Sequence, residues 1–164
     1  MLKKSRKNFR CIWLFLGIIF AAISLDEGAS LHETLIYPVN KNFDLGDGVF
    51  YFSWVIPVGI LVLLVFALLL KFYIKLPVKY RAIFCAAAAV YIGGAVGMEM
   101  WGAYYVSGDP IYHIDGLWDY KFTLLTGIEE FMEMTGIAIL IYGQILYLSE
   151  QESIKVKSVA AQWN

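Results

Sequence analysis

The chain has 164 residues, 60% of them hydrophobic and 16% charged, and its mean hydropathy of +0.64 is far above what a soluble domain of this length needs. A spanning helix takes about 20 apolar residues, so four spans with short connections use nearly the whole chain and leave no room for a separate soluble domain. The formal net charge of −1, the lack of a basic tract interleaved with aromatics, of solenoid repeats and of a cysteine framework set aside nucleic-acid binding, repeat architectures and disulfide scaffolds.

Four apolar runs follow in chain order. The first, Cys11 to Leu25, is short for a crossing, and the expected helix continues through Asp26 and Glu27 to His32 and Glu33. A basic tail, a fifteen-residue apolar run and small residues around Ala21 to Ser24 also fit a cleaved secretory signal. The remaining spans are expected over 50–70, 82–106 and 122–148. Pro57 is expected to kink the second.

Basic residues set the direction. Lys3, Lys4, Arg6, Lys7 and Arg10 precede span one, Lys71, Lys75, Lys79 and Arg81 join spans two and three, and Lys155 and Lys157 follow span four. That is 11 of 13, with Lys41 and Lys121 on the other side, so the positive-inside rule puts both termini in the cytoplasm. Aromatic groups at Phe50 to Trp54, at Phe72, Tyr73 and Tyr80, and at Trp101 to Tyr105 are expected at the membrane interfaces. The expected fold is one domain, 1–164: an all-α integral membrane protein with four transmembrane helices in a bundle, N-in/C-in, in a bacterial inner or plasma membrane.

Within span three, Cys85, Ala89, Gly93 and Gly97 recur every four residues. Such a stripe lets a neighbour approach closely and makes span three central, with Gly93 and Gly97 as an alternative homodimer face. Cys11 and Cys85 are expected to be small core residues.

The chemistry lies in carboxylates at membrane depth. They are Asp26, Glu27 and Glu33 from helix one, Glu99 from helix three, and Glu129, Glu130 and Glu133 from helix four. At 1.5 Å per residue, Asp26 stands about 22 Å from Cys11, Glu99 about 25 Å from Ala82, and the helix-four acids about 10 to 17 Å below the outer surface. Three helices thus bring acids to one level in the outer half of the bundle. On a regular helix Glu129, Glu133, Thr126 and Glu130 share an arc of about 100°, and Gly136 and Gly143 lie on the same side. On helix three, Ala88, Ile92, Ala95 and Ala103 surround the Glu99 direction.

No Lys or Arg stands in these apolar sections, so protons or a cation must balance the acids. With His32 added, the donor set is oxygen-rich with one imidazole and suits Fe, Mn or Zn. The candidate ligands are Asp26, Glu27, His32, Glu33, Glu99, Glu129, Glu130 and Glu133. The paired acids resemble in part the di-iron and di-manganese carboxylate bundles, where two helices give Glu and two give Glu-x-x-His. Glu130 and Glu133 have that interval of three, but the second member is Glu, and no Glu-x-x-His occurs. Asp109 and Asp115 in the third connection, with Asp44 and Asp47 in the first, would form an acidic mouth, and His113 in the third connection is a further candidate to complete a metal site.

The leading expectation is a metal-binding membrane protein, redox or hydrolytic, working on an unidentified small molecule or ion. The alternatives are a proton- or cation-coupled small-solute transporter and a non-catalytic subunit of a membrane complex. No nucleophile elbow, HExxH, phosphate loop or CxxC motif is present in the sequence.

Overall fold

The computed structural model describes residues 2–45, 47–108 and 120–160, and side chains over 11–45, 47–108, 120–154 and at 156. Asp109, His113 and Asp115 lie outside the described residues. The described residues are all-helical, with no strand among them.

Helix α1 (Leu2–Ala29) carries the first apolar run. It does not reach Glu33, because Ser30 takes a left-handed conformation at φ 46° and a 3-10 turn, Leu31–Leu35, follows. A short polar side chain tolerates that region better than most non-glycine residues do. The turn leads into the eight-residue helix α2 (Ile36–Phe43), which ends on Asp44, also left-handed at φ 52°. The first connection is therefore largely helical rather than an open loop. A second 3-10 turn, Gly48–Phe50, leads to α3 (Val55–Ile74).

Pro57 does not kink α3. It lies in the first turn, where the backbone N–H groups have no intrahelical acceptor and a ring costs nothing. Just before the helix, the fully buried Ser53 donates from Oγ to the Ile36 carbonyl at 3.2 Å, which fastens α2 to the start of α3. Along α3, Ile60, Leu61, Leu63, Leu64, Phe66 and Leu68 are all exposed. A helix apolar on every side, with its middle largely exposed, is suited to an apolar solvent.

After a tight turn through Pro77, the third apolar run forms α4 (Val78–Ile92), a π-helical segment (Gly93–Met98) and α5 (Glu99–Ser107). The last run is one helix of 41 residues, α6 (Tyr120–Ala160). Four stretches are long and apolar enough to cross a membrane: Cys11–Ala29, Val55–Ile74, Val78–Ser107 and Tyr120–Ile154.

Two levels of contact show that successive long helices alternate in direction. At one end, Leu76, Tyr80 and Tyr147 form a buried cluster joined by Trp13 and Phe72. Tyr80 meets Tyr147 edge-on at 5.0 Å, and Trp13 contacts both Tyr147 and Phe72. Lys79 Nζ bonds Glu150 at 2.8 Å nearby. At the other end lie the close of α1, the starts of α3 and α5, and the first third of α6. Tyr80, expected as an interfacial ring, is instead 3% exposed and part of the core.

The tight seam runs between α4 and α6 and uses different residues from the expected stripe. Cys85, Ala89 and Gly97 are exposed, whereas Ala87, Gly94, Gly102 and Ala103 are buried. Of the face reasoned from a regular helix, Ala88 is exposed and Ile92 is 40% exposed, whereas Ala95 is half-buried and Ala103 is buried, so only its later part is packed. The π segment is the reason: i→i+5 bonding adds a residue to the turn and shifts the phase of everything after it. Cys11 and Cys85 are both exposed and free, not core residues.

Candidate functional site

The acids are assembled by helix breaks as much as by helices. Because α1 stops at Ala29 and the chain turns at Ser30, His32 folds back on Asp26. The His32 backbone N–H donates to Asp26 Oδ1 at 2.8 Å, and Nδ1 lies 3.0 Å from Asp26 Oδ2. A carboxylate accepts only, so Nδ1 is the donor in this pair. The imidazole also packs on Trp54, with ring centroids 4.4 Å apart.

Trp54 is the next link. It is 6% exposed, buried in the site rather than placed at an interface, and its Nε1–H donates to Glu99 Oε1 at 3.0 Å. Glu99 begins α5 directly after the π segment. Gly93 and Gly94 press this segment onto α6. A Cβ on Gly94 would stand 3.0 Å from the Glu129 carbonyl and 3.2 Å from Glu133 Cγ, and one on Gly93 would stand 3.1 Å from Met132 Cε. That approach brings the Glu99 and Glu129 carboxyls near each other, so their charges interact.

Glu133 lies one turn further along α6, within charge range of Glu27, Glu99, Glu130 and His32. Tyr91 of α4 stands near Glu133, Glu27 and Asp26. The structure thus gathers Asp26, Glu27, His32, Glu99, Glu129 and Glu133 from α1, the turn after it, α5 and α6. Glu130 is exposed beside the cluster, and Glu33 is exposed on the 3-10 turn. Among the described residues, no three His, Cys, Asp or Glu side chains converge closely enough to hold a metal ion.

Trp54 and Tyr91 were not singled out by the sequence. Trp54 reads as one of four aromatics at a span boundary, and only its pairing with a residue 45 positions away reveals it. Tyr91 is a lone phenol in an apolar run, and it could have been found from its register with Gly136, whose missing Cβ would lie 2.7 Å from Tyr91 Cβ.

Beside the cluster, α1 and α6 diverge around a cavity of about 970 Å³. Glu27, Glu130, Glu133 and Tyr91 stand at its acidic end, and Phe20, Ile23, Ile137 and Ile141 are among its apolar walls.

No curated protein and no solved structure matches this chain. A family model matches residues 1–145, which takes in every residue of the cluster, and the chain belongs to that family, described as a domain of unknown function, DUF8692.

Proposed function

We propose that this is an integral membrane protein with both termini in the cytoplasm, whose carboxylate and histidine cluster in the outer half of the bundle binds a transition-metal ion. The exposed apolar surface of α3 and the bias of Lys and Arg toward one side support insertion in that orientation. The observation that carries the metal reading is the Asp26–His32 pair, whose imidazole packs on the same Trp54 that donates to Glu99. A metal-binding histidine characteristically donates its other ring N–H to a carboxylate, which fixes ring and tautomer, and Asp26 does this for His32. Trp54 performs the same service for Glu99.

The donors suit Mn, Fe or Zn, with Glu129, Glu133 and Glu27 completing an oxygen-rich set. Such an ion supplies Lewis-acid or redox chemistry. Helix α1 packs at the aromatic end through Trp13, and the turn after it packs through His32 on Trp54, with the cavity between.

A second reading is a proton relay, and it is favoured by the nearness of Glu99 and Glu129 alone, since one proton shared by two carboxyls also satisfies them. The test is thermal unfolding of chelator-treated protein titrated with Mn²⁺, Fe²⁺ or Zn²⁺. Ligand at about 100 times its dissociation constant stabilises by about 2.7 kcal/mol, so the midpoint should rise by about 5 °C or more. Glu99→Gln/Glu129→Gln should abolish the rise. A wild-type midpoint indifferent to every metal but dependent on pH would favour the relay.

A further inference from the structure

We propose that the cavity between α1 and α6 binds a long-chain lipid with a cationic amino head group, which enters sideways from the bilayer. The proposal rests on the reading of the chain as membrane-spanning, and of its three acids Glu27 and Glu133 are shared with the proposed metal set while Glu130 is not. Three features of the cavity determine the ligand.

Its polar end is one-signed. Glu27 comes from α1, Glu130 and Glu133 come from α6, and no Lys, Arg or His lines the cavity. Glu130 is exposed to the cavity, and a carboxylate at that depth needs a counter-charge. Tyr91 and Ser24 add hydroxyl groups beside the acids, suited to an ammonium and its neighbouring oxygen substituents.

Its body is long and apolar. From Glu130 to Gln144, both lining residues, α6 advances about 21 Å. That exceeds half of a hydrocarbon core about 30 Å thick, so an extended chain fits alongside α6 from the acids to the Gln144 amide. Phe20, Ile23, Met134, Ile137 and Ile141 supply the walls. The volume of about 970 Å³ lies within the range of small-molecule sites.

Its walls do not suit a helix of a second copy. Close helix association in lipid uses small residues, whereas these walls are dominated by large ones. The apolar sections 11–33, 50–70, 82–106 and 122–148 also carry no Lys or Arg to meet the three acids. A single-chain amine brings both the counter-charge and the chain.

The experiment uses full-length protein in phosphatidylcholine nanodiscs with two photoreactive probes of equal chain length, an alkylamine and a fatty acid. The amine should label α1 around Phe20 to Gly28 and α6 around Met134 to Gln144, saturably and at least about tenfold more strongly than the acid. Ala138→Trp and Ser24→Trp fill the cavity from opposite walls, and each should cut labelling about tenfold, as should Glu27→Gln/Glu130→Gln. Equal labelling by amine and acid, labelling spread evenly over the exposed face of α3, or cross-linking of a second copy through the cavity would overturn the proposal. Metal content is measured on the same samples. Amine labelling without metal removes only the metal reading, and absence of amine labelling in chelator-treated, metal-free protein removes only this one.

Discussion

Helix α6 is packed in two opposite ways on two of its sides. Toward α4 it lies backbone against backbone: a Cβ on Gly136 would be 2.7 Å from the Tyr91 backbone nitrogen, and one on Gly143 would be 2.7 Å from Ile83 Cγ2. Toward α1 it stands off across a cavity, and Gly17 and Gly28 of α1 have nothing within 4 Å of where a Cβ would go. The carboxylates sit where the two seams meet. The closed seam sets Glu99 near Glu129, while Asp26, Glu27 and His32 reach the same place from α1 and the turn after it. A closed half and an open half are what a site needs if it must hold geometry and also admit something.

The comparison breaks most readily at its closed seam. Gly136→Ala should destabilise the protein by about 3 kcal/mol, because the obstructing atoms belong to the Tyr91 backbone and cannot swing away. Thermal unfolding in detergent reads this directly. On the open side, Gly28→Ala should change stability by no more than about 0.5 kcal/mol. Equal effects at the two glycines would mean that the seams do not differ.

Two substitutions sharpen the picture at the junction without disturbing either seam. Trp54→Phe removes the donor to Glu99 and keeps the buried ring, so metal affinity should fall by about 10- to 100-fold while the unfolding midpoint of metal-free protein changes little. Asp26→Asn leaves the size of the side chain unchanged but frees the imidazole tautomer, and should weaken metal binding about tenfold in isothermal titration. A small effect also belongs to the far end. Lys79→Ala breaks an ion pair whose two members are both about half exposed and should cost less than about 1 kcal/mol.

The four long helices were legible in the sequence because apolar runs of this length have few alternatives, and so was the common level of the acids, which needs only the helical rise. The side each acid faces was less so. Regular-helix angles placed Glu99 among Ala88, Ile92 and Ala95, but the π segment over Gly93–Met98 interrupts that phase, and nothing beyond the glycines at 93, 94 and 97 signals it. Glu33 was carried onto the site by extending α1 through Ser30, whereas the left-handed turn at that residue places it on the exposed side and brings His32 back to Asp26 instead. The Gly136 and Gly143 seam on α6 was anticipated correctly because α6 is unbroken. Errors thus fall where backbone bonding departs from i→i+4, and those departures occur next to the acids.

The central claim is that a metal ion balances the charge of this cluster. Elemental mass spectrometry of protein purified without any chelator, beside its Glu99→Gln/Glu129→Gln variant, tests it most directly. The account predicts stoichiometric Mn, Fe or Zn in the wild type and loss of that metal from a variant that remains folded. Folded, metal-free wild-type protein, or equal metal in both, would contradict it.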